Sequence, residues 1–228
     1  MRQVIRYERK YALTYAEYKK LSHYVGLFLP KDSHTGLQGY QIRSLYFDTP
    51  NDNDFFEKLE GISCRKKIRL RLYDPAVPYA YLEMKQKEDD RQKKRSLKIT
   101  RQDAQALIQG DYSPLLGYQN PFADECFACL YMQSYRPKAV VEYIRMAYEK
   151  PENKTRITFD REIRSNQSNF DIFSQHMVFY PVVDGDQVIM EVKFNHFLLE
   201  YIKNLINHCD RSQTAASKYC MGRYPVLR

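Results

Sequence analysis

The feature that most constrains the fold of this chain is an alternation that returns in segment after segment. Charged side chains occupy every second position, with apolar side chains between them. In an extended chain, residues two apart share a face. In IRLRLY, Arg69 and Arg71 lie on one face, with Ile68, Leu70 and Leu72 on the other. In YLEMKQK, Glu83, Lys85 and Lys87 oppose Leu82 and Met84. In KKRSLKIT, Lys94, Ser96 and Lys98 oppose Leu97 and Ile99. TRITFDR sets Arg156, Thr158 and Asp160 against Ile157 and Phe159, and VIMEVKF sets Glu191 and Lys193 against Met190, Val192 and Phe194. ERKYAL places Glu8 and Lys10 opposite Tyr11 and Leu13. Tyr143 and Arg145 share a face in EYIRM, and Ser44, Tyr46 and Asp48 share one in SLYFD.

One such segment describes an ordinary half-wet sheet. Here the polar face is mainly Arg, Lys and carboxylate, and it repeats. If the sheet closes with helices outside, the charged face turns inward. Inward cations are costly without a counter-charge and make sense around a multiply charged anion. The inward carboxylates Glu8, Asp48, Glu83, Asp160 and Glu191 would neutralise neighbours or hold a divalent metal through oxygen.

The pattern predicts strands over 3–13, 40–48, 64–73, 79–88, about 92–99, 138–149, 154–163, 176–182 and 187–194. The last two form an expected hairpin around Asp184-Gly185-Asp186. Helices are expected over 15–28, opened by a capping box at Thr14 and Glu17, and over 52–60, 100–110, 122–133 and 196–208, with a short helical tail. The fold class is therefore α+β, an antiparallel barrel or strongly curved sheet with helices inserted between strands. The 228 residues show no break in composition, so one domain over 1–228 is expected.

The net charge of +8 points to an anionic partner without choosing one. There is no GxxxxGK[ST] loop and no GxGxxG, so phosphate would be held by side chains. Arginine offers a planar fork for phosphate oxygens and lysine a point charge. No nucleic-acid-binding motif is present, and carboxylates share the basic faces, so no nucleic acid is expected as partner. No apolar run reaches the length of a transmembrane helix, and the charged opening MRQVIRYERKYAL is unlike a secretory signal. A cytoplasmic location is expected. Cys126 and Cys129 form a lone C-x-x-C among apolar residues, read as two thiols on a buried helix face. The five histidines, His23, His34, His176, His196 and His208, lie off the charged faces and are read as structural or surface residues. Most of the 20 tyrosines fall among apolar neighbours and are read as core or rim.

The ordered set E-x-K, SLYFDT, RKKIRLRLY, LEMKQK, VEYIRMAY, TRITFD, VIMEVKF and SKYCMGRY resembles the VTC domain over about residues 4–224. That is the polyphosphate polymerase domain of the vacuolar transporter chaperone, within the CYTH-like triphosphate tunnel metalloenzyme superfamily. The resemblance implies an eight-stranded antiparallel tunnel with the charged face inward. It implies transfer of the γ-phosphoryl group of ATP to a polyphosphate chain, with Mn2+ or Mg2+. It carries phosphate-binding basic positions onto Lys10, Arg69, Arg71, Lys85, Arg145, Arg156 and Lys218. Tyr143 matches a tyrosine that contacts phosphate, Glu191 matches the metal-binding glutamate, and Lys193 lies beside it. Lys94 is taken for the basic residue of the strand at 92–99, where Lys93, Arg95 and Lys98 leave the register open. Arg69, Arg71, Arg145 and Arg156 are expected to clamp nucleotide phosphates. Lys85, Lys193 and Lys218 are expected to guide the acceptor chain, with Glu8, Glu83, Lys87, Lys98 and Asp160 lining it.

Hydrolytic and cyclase relatives begin E-x-E-x-K, whereas here the positions read Arg6, Glu8 and Lys10. Fewer carboxylates weaken a two-metal site and favour transfer over hydrolysis. A metal-dependent inorganic triphosphatase and a non-catalytic binder of polyphosphate or nucleotide are the alternative readings. Eukaryotic relatives carry an SPX domain and membrane helices that this sequence lacks, and oligomeric state is not legible.

Overall fold

The computed structural model describes residues 6–88, 91–183, 186–206, 214 and 216–224. Among the described residues nine strands and six α-helices follow one another. They are β1 (Arg6–Thr14), α1 (Tyr15–Phe28), β2 (Tyr40–Asp48), α2 (Asn53–Leu59), β3 (Arg65–Leu72), β4 (Tyr79–Glu88) and β5 (Arg91–Thr100). Then come α3 (Arg101–Gln109), a 3-10 turn at Ser113–Tyr118, α4 (Pro121–Met132), β6 (Arg136–Lys150) and β7 (Thr155–Asn166). β8 (Tyr180–Pro181), β9 (Gln187–Asn195), α5 (Glu200–Ile206) and α6 (Lys218–Arg223) complete the chain. The hydrogen-bonded order is β1-β9-β7-β6-β2-β3-β4-β5, with β8 on β7.

The α+β class stands, with two corrections. Among the described residues no ladder joins β1 to β5, so the sheet is open where a closed barrel was expected. Both edge strands are rich in Lys and Arg, which keeps an unpaired edge from recruiting another chain. The expected 176–182/187–194 hairpin does not form. β8 pairs instead with β7, Pro181 against Arg164 and Tyr180 against Ser165. β9 has no edge to offer, because β1 and β7 occupy both sides of it. The expected turn residues Asp184 and Gly185 and the end of the 196–208 helix lie outside the described residues. The described part of that helix begins at Glu200.

The chain forms two compact units, each assembled from separate segments. Neither is a continuous stretch, so no change of composition along the sequence marks them. Unit 1 comprises 1–41, 143–163 and 183–217. Its core joins the apolar faces of β1, β9 and β7 (Tyr11, Leu13, Val188, Met190, Val192, Ile157, Phe159) to α1 and α5. α1 starts where expected because Thr14 and Glu17 cap each other reciprocally. It buries Tyr18, Leu21 and Val25.

Unit 2 comprises 42–142, 164–182 and 218–228. Its core packs Ile68, Leu70, Leu72, Leu82, Met84 and Ile99 under α3 and α4 (Ala104, Leu107, Ala123, Cys126, Leu130). Cys126 is buried on α4 and Cys129 half-buried, and burial pushes Cys126 up to about 12 and Cys129 upward. A buried ion pair sits on the same side of β2. Arg43 donates to Glu142 at 2.6 Å and to the carbonyls of Ile172 and Ser174, fastening the 167–179 segment. No helix of the described residues is long and apolar enough to cross a membrane.

Candidate functional site

Each unit presents a charged cluster on its strands that gathers residues singled out by the two-residue alternation. In unit 2 it lies on the face of β2–β5 away from α3 and α4. Strand register puts Ser44 opposite Arg71, Tyr46 opposite Arg69, and Arg69 opposite Glu83. Three cations converge on Glu83. Arg69 Nε donates to it at 2.8 Å, Lys94 Nζ stands at 2.6 Å and Arg71 Nε at 3.8 Å. Burial would raise the Glu83 carboxyl, but Arg69, Arg71 and Lys94 outweigh it and hold the group at about 2. Burial pushes the Lys94 ammonium down, with Arg69 and Arg71 adding repulsion against the pull of Glu83.

Tyr46 measures the field in this cluster. Its burial should push the phenol up, yet Arg69, Arg71 and Lys67 hold it below its ordinary value. Arg69 Nη1 donates to its hydroxyl at 2.9 Å. Tyr46 stacks on Tyr219 of α6, with ring centroids 5.1 Å apart, and Lys67 lies over the Tyr219 ring. Lys218 opens α6, half-buried.

Along the same face Lys85 stands opposite Lys67 and Lys94, and Lys87 opposite Arg65 and Gln92. Lys98 is opposite Tyr81 and lies 3.8 Å from the Tyr79 ring centroid. In β5, Lys94 and Lys98 share the face of Glu83. Arg95 is on the other face, donating to Glu125 of α4 at 2.6 Å, and Lys93 shares its parity. Asp48, grouped by its spacing with the inward carboxylates, is committed elsewhere. It accepts from the backbone amides of Thr49, Asp54 and Phe55 and from the Tyr219 hydroxyl, which anchors the start of α2 and holds α6.

In unit 1 the cluster lies on β1, β9, β7 and β6. Lys10 is opposite Glu191, which is opposite Thr158, and Glu8 is opposite Lys193, which is opposite Arg156. The charges pair among themselves. Lys10 reaches Glu8 at 3.2 Å and the Ala216 carbonyl at 3.0 Å. Lys193 is ion-paired with Glu191 and lies 3.7 Å from Glu8. Arg145 grips Asp160 with a two-point fork at 2.7 and 2.8 Å and lies over the Tyr143 ring. Burial works against its charge, but Asp160 and Tyr143 more than compensate and raise it well above its ordinary value. Arg156 is drawn to Asp32 at 2.6 Å, with Tyr40 and Glu149 beside it.

Divalent metal fits this second cluster in a limited way. Among the described residues no three His, Cys, Asp or Glu side chains are grouped to cage an ion. Glu191 and Glu8 flank Lys193, and the buried Thr158 hydroxyl opposite Glu191 has no hydrogen-bond partner. Two carboxylates and a hydroxyl suit Mg2+ or Mn2+, which keep few protein ligands and take phosphate oxygens for the rest.

Some members of the clusters escaped sequence reasoning. Lys67 shares the two-residue parity of Arg69 and Arg71, and that spacing could have found it. Asp32 sits in a loop and Tyr219 on a short helix, where no periodicity signals a role.

The family model of the VTC domain matches residues 5–226. The chain belongs to the VTC domain family. No curated protein matches its sequence. Among solved structures, this VTC domain is similar to a candidate adenylate cyclase from Bacillus halodurans, with TM-score 0.50 and 13% identity over 89% of this chain and 86% of that one. It is also similar to HpAC1 of Hippeastrum, a candidate adenylyl cyclase with a dominant triphosphatase activity, with TM-score 0.50 and 14% identity over 88% and 83%. A chain of the Mediator head module of Schizosaccharomyces pombe gives TM-score 0.52 and 10% identity over 90% and 96%. At such identities the likeness shows the fold alone, and the fold has hosted more than one role. Membership of the VTC family is what assigns this chain to the proteins that handle triphosphate or polyphosphate.

Proposed function

We propose that this VTC domain is a polyphosphate polymerase-like phosphotransferase that moves the γ-phosphoryl group of ATP onto a polyphosphate chain. The observation that carries the reading is the convergence of Arg69, Arg71 and Lys94 on Glu83, with the field of Lys67 added at Tyr46. A buried phenol held below its ordinary value reports a positive field that an anion would neutralise. Phosphoryl transfer asks a protein chiefly for in-line placement and for charge compensation on the phosphate oxygens.

In this reading Arg69 and Arg71 hold triphosphate oxygens, with Lys94 and Lys85 extending the basic surface along the strands. Within unit 1, Lys10, Lys193, Arg145, Arg156 and Tyr143 are the phosphate contacts of its own cluster, and within unit 2 Lys218 is a further one. Glu191, with Glu8 and Thr158, would hold Mg2+ or Mn2+, which when bound would supply charge compensation to phosphate oxygens. Glu8, Glu83 and Asp160 set how firmly each cation is held before phosphate arrives. Lys87 and Lys98 lie farther along the same unit 2 face. We place the activity in the cytoplasm, where the thiols of Cys64, Cys126 and Cys129 would stay reduced.

The test is incubation of the purified protein with ATP and Mn2+, with and without a short polyphosphate primer, following both free phosphate and long chains. Glu191→Ala is run alongside. Long chains that disappear in the variant support transfer. Free phosphate without chains moves the assignment to a triphosphatase. Polyphosphate binding without turnover, the same in the variant, leaves a binder.

A further inference from the structure

The charged face of β3–β5 has two different ends, and this asymmetry indicates how a nucleotide would lie on it. Glu83 and its three cations occupy the middle. Toward one end the face carries Lys67, Lys85 and Lys87. Toward the other end it carries Tyr73, Tyr79 and Tyr81, with Lys98 among them.

We propose that this tyrosine cluster is a nucleobase subsite, so that a nucleoside triphosphate binds with its base on the tyrosines and its phosphates on Arg71, Arg69 and Lys94. The inference rests on the triphosphate-binding reading above and adds the nucleoside end to it. Tyr81 is opposite both Arg71 and Lys98 in the register, and it shares its face with Glu83 two residues on. At strand rise that separation is about 7 Å, and Tyr79 lies about 13 Å from Glu83. These spans suit the distance from a base to the end of its triphosphate. The rings meet edge to face, Tyr79 with Tyr81 at 5.6 Å and Tyr73 with Tyr81 at 6.2 Å. None of them belongs to the hydrophobic core, and Tyr73 is 45% exposed. Aromatic surface that remains open to solvent beside a cation-rich strip can stack a base and is tolerant of which base it is. The Lys98 ammonium 3.8 Å above Tyr79 adds positive charge where the sugar and first phosphate would join the base. The arrangement also gives the site a direction. A phosphate chain extending from the nucleotide would run away from the tyrosines toward Lys67 and Lys85.

The experiment compares binding of ATP with binding of inorganic tripolyphosphate, without divalent metal, by the full chain. Three proteins are used: wild type, the double variant Tyr79→Ala/Tyr81→Ala, and Tyr79→Phe/Tyr81→Phe. The alanine variant is expected to weaken ATP binding roughly tenfold while tripolyphosphate stays within about twofold. The phenylalanine variant keeps the stacking surface and is expected to bind ATP much as wild type does. If alanine shifts ATP and tripolyphosphate equally, or shifts neither, the base subsite is overturned while triphosphate binding survives. Wild-type protein that binds neither ligand overturns the triphosphate reading itself, and the subsite with it.

Discussion

The two charged clusters are built from the same side chains on the same kind of strand, yet they handle charge in opposite ways. In unit 1 nearly every cation has its own carboxylate: Lys10 with Glu8, Lys193 with Glu191, Arg145 with Asp160 and Arg156 with Asp32. In unit 2 Arg69, Arg71 and Lys94 share Glu83, and Lys67 adds its field at Tyr46. Paired charge stays soluble in its own network and can be reorganised by a ligand or metal. Several cations gathered on one carboxylate suit an anionic ligand. Composition of the strands does not predict this difference, because both faces read as alternating Lys, Arg and Glu.

If the contrast is real, arginines in the two units should fail differently. Arg145→Ala leaves the buried Asp160 without its fork, and a broken buried pair costs about 3–5 kcal/mol. The expected outcome is a large fall in the denaturation midpoint measured by urea titration. Arg71→Ala leaves Glu83 still held by Arg69 and Lys94. Its expected cost is about 2 kcal/mol in tripolyphosphate binding by calorimetry, with little change in folding. Comparable stability losses in both variants would erase the distinction.

Buried carboxylates sharpen the comparison. Asp160 has an arginine, whereas Asp54 in unit 2 has only the Tyr135 hydroxyl at 2.8 Å, and its second oxygen is buried without a partner. Burial, reinforced by the neighbouring Asp48, raises Asp54 to about 7. The folded protein therefore holds a proton that the unfolded chain releases from about pH 4, and stability falls as pH rises from there to about 7. Asp54→Asn should remove this fall and raise stability above pH 7 by about 2 kcal/mol, with little change near pH 4. Glu83 acts in the other direction. Its depressed value adds stability above the ordinary carboxylate range that is lost as pH falls toward about 2. Thermal melts across pH 3–8 separate the two windows.

Two glycines, one in each unit, extend the comparison to the backbone. In unit 1 a Cβ at Gly39 would lie 2.4 Å from the Arg145 backbone oxygen, and its φ is +90°. Backbone cannot yield easily, so Gly39→Ala should cost about 1–3 kcal/mol. In unit 2 a Cβ at Gly222 would meet Cγ2 of the buried Val141 side chain at 2.6 Å, a side chain rather than backbone but a stiff one. Gly222→Ala should cost about 1–3 kcal/mol, read from the melting temperature.

Much of the secondary structure was legible because its signals are local. The capping box at Thr14 and Glu17 set the start of α1, and two-residue alternation set β2 and β4 at their observed bounds. The same alternation grouped the charged residues on shared faces. It failed at 176–182, where an apolar run suggested a strand but only Tyr180–Pro181 pairs, and with β7. Competition for strand edges settles that choice, and no local pattern records it.

By itself, then, the sequence determined which side of each strand is charged, because side-chain direction follows from the two-residue period alone. Only tertiary structure decided which charges meet. Cross-strand register brought three cations to Glu83, a loop delivered Asp32 to Arg156, and Asp48 was spent on the start of α2 and on Tyr219. The physical reason is range. Backbone periodicity acts over two to four residues, whereas charge compensation acts over a few ångströms between residues far apart in the chain.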